Sequence, residues 1–426
     1  MALKRAFSAV TGAPRDAFRR SEARNGAIHA VSLALTKTAD GLIDPKLVLS
    51  WLLTALGAPG AMIGALVPVR EAGALLPQLA LARRVEASPR RKRFWAVGSA
   101  VQGLAALGIA AAALLWEGAA AGAAIVACLA VLAVARSASS VSYKDALART
   151  VAKRRRGAVT GLAASVASVS VFGVGLLMAT GPFEVAVAPL AAIVAAAGAA
   201  FLVAALIFMA LREPADDGGG SEDDDDGSLA ALVDPILTDA QLRLFVLSRA
   251  ALAVTALAPP FIVMLSAASG RTALDQLGPL VMASTLASVL ASYVWGRLSD
   301  RSSRRTLMAA GALGAAVFAG VGAVGLTQGG LGGALGAAAA IFVAQIAYEG
   351  VRAGRKLHLT DMAEDAFRAR YTALSNTLIG VALLAGGGFG LAADRFGPAP
   401  VLLAFAGLSA LGALLAAGLE EVQREE

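Results

Sequence analysis

The chain has 426 residues, 58% of them hydrophobic and only 16% charged, with a formal net charge of +7. Soluble domains are roughly 45–50% apolar and about 25% charged, so this composition excludes both a soluble globular domain and a disordered chain. A single cysteine, Cys128, excludes an intrachain disulfide scaffold, two distant histidines, His29 and His358, speak against a zinc protein, and a polytopic membrane protein is what fits.

Residues 1–26 carry Lys4, Arg5, Arg15, Arg19, Arg20 and Arg24 without the apolar core of a signal peptide, and are predicted to form a cytoplasmic tail. Twelve apolar windows follow, near 27–53, 60–82, 94–116, 118–143, 157–180, 187–211, 243–268, 275–298, 306–326, 331–352, 371–393 and 399–419. The first is the most polar. It holds Lys37, Asp40, Asp44 and Pro45, and is predicted to kink or end near the proline. With both termini inside, 29 Lys and Arg fall in cytoplasmic segments and three, Lys46, Arg271 and Arg395, in outer loops. That is the positive-inside pattern of a cell membrane protein, with the bacterial inner membrane as the expected location. Basic residues confined to short segments, with only 5% aromatics, exclude a nucleic-acid surface.

The windows divide into a six-helix bundle over 27–211, a linker over 212–242, a second bundle over 243–419 and a short cytoplasmic C-terminus over 420–426. The linker is acidic and glycine-rich. Its Glu222-x-Asp224-x-Asp226-Gly227 run imitates a calcium loop, but Val233 stands at the twelfth position, where that loop needs glutamate. A flexible spacer is expected.

The two bundles echo each other. Glu86 and Asp300 each precede an arginine pair, Arg90-Arg91 and Arg304-Arg305, by four and five residues. Arg136 precedes Asp145 by nine, as Arg352 precedes Asp361. Three features at nearly one offset point to duplication of a six-span unit. Gly296, Asp300, Arg301, Arg304 and Arg305 match the signature Gly-x-x-x-Asp-Arg-x-Gly-Arg-Arg/Lys, with Ser303 in place of the second glycine. With twelve spans and a central linker, the chain resembles the major facilitator superfamily over essentially its whole length. The first copy of the signature is degenerate, with Ala82 and Glu86, and Leu132-x-x-x-Arg136 fits a fourth-span pattern. The fifth-span antiporter motif is absent.

The resemblance implies an all-α fold, a midplane substrate site lined by the first, fourth, seventh and tenth helices, and transport by alternating access. Ionisable groups inside a membrane are costly and therefore functional candidates. Lys37, Asp40 and Asp44 share one face of the first helix, where a Lys37–Asp40 pair is expected. Gln345, Glu349 and Arg352 share one face of the tenth, beside Tyr348. Arg70 and Glu71 are adjacent and point about 100° apart, so each needs a partner on another helix. Arg249 is expected to snorkel to the cytoplasmic surface. The resemblance also makes Asp300 a latch between the halves, meeting the N-terminus of the fifth helix behind Arg154, Arg155 and Arg156.

The expected function is movement of a small solute by a monomer in the lipid bilayer, with neither enzyme chemistry nor a cofactor or metal. A proton is one coupling ion the sequence allows, with Asp40, Glu71 or Glu349 as carriers, and uniport is equally compatible. The alternative is a non-transporting membrane assembly factor or sensor of the same architecture.

Overall fold

The computed structural model describes residues 2–12, 21–78, 81, 88, 90–180, 186–214, 235–267, 277–331, 333–363 and 368–423. Glu86, Arg271 and the 215–234 part of the linker, with its aspartates, lie outside them. The regular structure among the described residues is helical throughout. In a bilayer every backbone N–H and C=O must find its partner within the segment, and long alanine-, leucine- and valine-rich runs achieve this as helices.

The first half contains α1 (Ala2–Thr11), α2 (Glu22–Leu42), α3 (Val48–Ala55), α4 (Gly60–Leu75), α5 (Arg91–Leu115), α6 (Gly118–Thr150), α7 (Lys153–Thr180) and α8 (Val187–Met209). The second contains α9 (Ala240–Leu252), α10 (Val254–Ala267), α11 (Leu277–Arg301), α12 (Ser303–Gln328), α13 (Ala334–Met362), α14 (Arg368–Gly386), α15 (Gly388–Phe396) and α16 (Pro398–Ala417). The twelve windows map onto these in order; the first is α2 with α3, the seventh α9 with α10, and the eleventh α14 with α15. Nine segments among the described residues are long and apolar enough to cross a membrane. Of the windows outside these nine, the first is broken between α2 and α3 and the second, α4, has 16 residues; these two carry Asp40, Arg70 and Glu71.

The break between α2 and α3 has a local cause. Pro45 has no N–H to donate. The Asp44 carboxylate accepts from the Lys46 N–H at 2.9 Å, and Ser50 Oγ donates to the Pro45 carbonyl at 2.6 Å. Side chains thus satisfy backbone groups that the helix releases.

Packing reveals the duplication. In the first half α5 lies against α6 and α8, α2 against α8, and α4 against α6; in the second, α12 lies against α13 and α16, α9 against α16, and α11 against α13. The corresponding helix starts are closed alike. Glu213 accepts from the Arg91 and Lys92 N–H groups at 3.1 and 2.9 Å, and Gln423 accepts from the Ser303 N–H at 2.7 Å. Asp145 pairs with Arg91 at 2.7 Å, while Asp361 accepts from Gln423 at 2.7 Å.

The halves meet where α4 packs on α14 and α15, α7 on α11, and α3 on α10. The contact is tightest at the end remote from the chain termini. There a Cβ on Gly64 would lie 2.6 Å from the Gly390 Cα, and one on Gly278 would lie 2.5 Å from the Ala179 nitrogen. Only glycine permits so close a backbone approach. Asp394, at the end of α15, accepts hydrogen bonds from the Gly60 and Ala61 N–H groups at 2.6 and 2.8 Å, and so caps the start of α4 across the seam.

Candidate functional site

Below that seam a cavity of about 420 Å³ separates the halves. The first half supplies α2, α6 and α7 to its wall, and the second supplies α11 and α13. A smaller space of about 190 Å³ shares Lys37, Asp40 and Arg136 with it and extends toward Gln102, Ser139 and Tyr143. A cavity of this size, with a few placed polar groups, suits a small solute.

Asp40 is the hub on the first-half side. Its carboxylate accepts from Arg70 at 2.7 Å and from Arg136, joining α2 to α4 and α6. The expected Lys37–Asp40 pair is not the arrangement found, because the two guanidiniums occupy the carboxylate. They come from helices that approach α2 from other sides, which spacing along α2 cannot report. Lys37 is exposed and has no ion-pair partner among the described residues. Glu71 also has no ion-pair partner among the described residues; the charges around it are those of Lys46, Arg355, Arg70 and Arg136.

On the opposite wall, the expected face of α13 assembles as a unit. Gln345 donates to the Glu349 carboxylate at 3.0 Å and to Ser288 Oγ of α11 at 2.9 Å. Arg352 lies 3.4 Å from the other Glu349 oxygen. Glu349 and Arg352 are interior positions, because α13 continues to Met362, just as α6 continues past Arg136 to Thr150.

Two placements correct the sequence reading. Lys46, assigned above to an outer loop, is buried, with its ammonium 3.0 Å from the centre of the Tyr348 ring on the opposite half. The break at Asp44-Pro45 lies within the span and turns Lys46 inward, where an aromatic face stabilises the cation. Arg249 does not snorkel. It is only 7% exposed and donates to Ser375 Oγ at 2.7 Å and Asn376 Oδ1 at 2.9 Å, tying α9 to α14. The neutral acceptors on α14 satisfy its two terminal nitrogens, while its Nε is buried without a hydrogen-bond partner among the described residues.

The residues of the two signature copies divide. Arg91 is buried in its pair with Asp145, and Arg304 lies 3.7 Å from Glu421. Arg90, Asp300, Arg301 and Arg305 are exposed, Gly296 is half-buried, and Glu86 is outside the described residues. Asp300 has no ion-pair partner among the described residues. The carboxylate at the start of α7 is instead Glu22, which accepts from the Ala152 N–H at 3.0 Å and pairs with Arg155 at 2.6 Å. Glu22, Lys46, Glu213 and Asp394 were missed by the sequence reading. Only Lys46 carried a signal, the Asp-Pro beside it.

The sequence matches no protein-family model and no curated protein. The fold matches several solved structures. The nucleoside transporter NupG aligns at a TM-score of 0.64 and 14% identity, covering 92% of this chain and 98% of that one. The inward-open xylose transporter XylE from E. coli aligns at 0.66 and 12%, covering 94% and 97%. A POT family transporter in complex with a thioalcohol-conjugated peptide aligns at 0.68 and 10%, covering 92% and 95%. The chain is therefore a multi-pass membrane protein with the major facilitator fold.

Proposed function

We propose that the protein is a secondary transporter that moves a small polar solute across the bacterial inner membrane by alternating access. It works as a monomer, with both termini and the 212–242 linker in the cytoplasm and with bundles over 27–211 and 243–419. The observation that carries the reading is the charged cavity shared by the two halves and sealed at one end. A site built from both halves can face each side in turn when one rocks against the other. The nucleoside, xylose and POT family transporters of the same fold support transport as its use.

Orientation rests on the basic residues. With Lys46 buried between the halves, 29 cytoplasmic Lys and Arg face only Arg271 and Arg395 outside. The Asp394 seam is then the outer gate, and the cavity faces inward. In the opposite state Asp300 latches onto the α7 N-terminus, exchanging with Glu22. Of the three acids read as proton carriers, Asp40 and Glu349 are held by guanidiniums and Glu71 is not, which favours Glu71 as the exchangeable group.

Exchange of labelled solutes by protein in liposomes tests the reading, with a panel of sugars, nucleosides, peptides and organic acids. One of them should exchange, and Asp40→Asn should abolish it by leaving Arg70 and Arg136 without their counter-charge. Folded protein that exchanges nothing in the panel overturns transport.

A further inference from the structure

We infer that the solute is a small organic anion, gripped between Lys37 of the first half and Arg352 of the second. This rests on the transport reading above and adds the chemical class. The argument lies in which ends of the charged groups a solute meets. Both acids of the two clusters are turned into their own partners. Asp40 is 21% exposed between Arg70 and Arg136, and Glu349 is 8% exposed among Gln345, Ser288 and Arg352. Their cationic partners are turned outward, with Arg136 at 40% and Arg352 at 58% exposure. Lys37 lines both adjoining cavities and has no ion-pair partner among the described residues. Asp40, Arg136 and Arg352 all stand close enough for their charges to act on it, and the Asp40 carboxylate is itself taken by Arg70 and Arg136. An entering molecule therefore meets three cationic tips, and each of the three acids on the same walls is already engaged, Asp40 and Glu349 by their own partners and Asp44 by the Lys46 N–H at 2.9 Å.

Two consequences follow from elementary electrostatics. A low-dielectric cleft whose most exposed charges are of one sign concentrates ions of the other sign, and here those are Lys37, Arg136 and Arg352. A carboxylate or phosphate can also take paired N–H donors from a guanidinium, a geometry a neutral sugar does not complete. The cations belong to opposite halves, so bringing the halves together around an empty cavity drives like charges toward one another. An anion between them removes that repulsion. The loaded carrier then closes its open side more readily than the empty one, since a ligand shifts a conformational equilibrium through its differential affinity for the two states.

The test is binding to the purified full-length protein, read as a saturable rise in thermal stability. Succinate, citrate and glycerol 3-phosphate are compared with xylose and uridine, all at matched ionic strength in chloride. At least one of the three anions should stabilise saturably, with neither neutral compound doing so. Lys37→Gln should weaken that binding at least tenfold, and Lys37→Arg should restore most of it. Saturable binding of xylose or uridine that is indifferent to Lys37→Gln, or saturable binding by none of the three anions, overturns the anion assignment and leaves transport standing. Anion binding that depends on Lys37 without exchange of that anion in liposomes supports the binding site and overturns transport.

Discussion

Asp394→Ala should release the seal at the end of the molecule remote from the termini. The carboxylate accepts from two N–H groups at the first turn of α4, at 2.6 and 2.8 Å, and those bonds run between the halves. A hydrogen bond to a charged group contributes about 1.5–3 kcal/mol when shielded, and a carboxylate at a helix N-terminus gains about 0.3–1 kcal/mol from the dipole. Asp394 is exposed, so water recovers much of this when the bonds break. A total of about 1–2 kcal/mol is the reasonable scale, equivalent to a roughly 5- to 30-fold shift in population. The loss falls on the sealed state relative to the parted one, because neither half uses these bonds internally. The reporter is Met264→Cys in a Cys128→Ser background, since Met264 lies 3.0 Å from where a Cβ on Gly60 would stand. Its alkylation by a membrane-impermeant maleimide should accelerate by that factor in Asp394→Ala. Arg395→Ala, at the exposed neighbour, is the control. An unchanged rate, or an equal acceleration in the control, refutes the reasoning.

Gly390→Ala should act in the same direction and more strongly, because its Cβ would stand 2.5 Å from the Gly60 carbonyl and 2.8 Å from the Ala61 Cα, both backbone atoms; the same alkylation assay reads it, and a rate at the parent level counts against a rigid seam. His358 lies beyond the span, buried against Ser303 Oγ at 2.9 Å, and burial pushes its imidazole down to about 4. The unfolded imidazole titrates near 6.5, so the unfolded state binds the proton first on acidification. The contribution of His358 is complete above pH 6.5 and drains away as pH falls toward 4. His358→Gln should flatten that stretch of the melting-temperature profile, and superimposable profiles for the two proteins would remove His358 as its cause.

The helices and their order were legible before any fold was known, because apolar length is a property of single segments. The sequence by itself also determined the faces of α2 and α13, since helical periodicity places Lys37 with Asp40 and Gln345 with Glu349 wherever the helix goes. Tertiary structure alone decided the partners. Asp40 and Arg136 are 96 positions apart and meet because α2 and α6 pack in one bundle. Arg249 is buried because α14 offers it Ser375 and Asn376, and hydropathy cannot see an acceptor on another helix. Lys46 is buried against Tyr348 of the other half, not in an outer loop, because the Pro45 break is stitched by Asp44 and Ser50 inside the span. Asp394 reads in sequence as an ordinary exposed carboxylate near a helix end. It becomes a seal only when the other half brings the unpaired N–H groups of α4 to it, since a cap is set by spatial approach and carries no periodicity of its own.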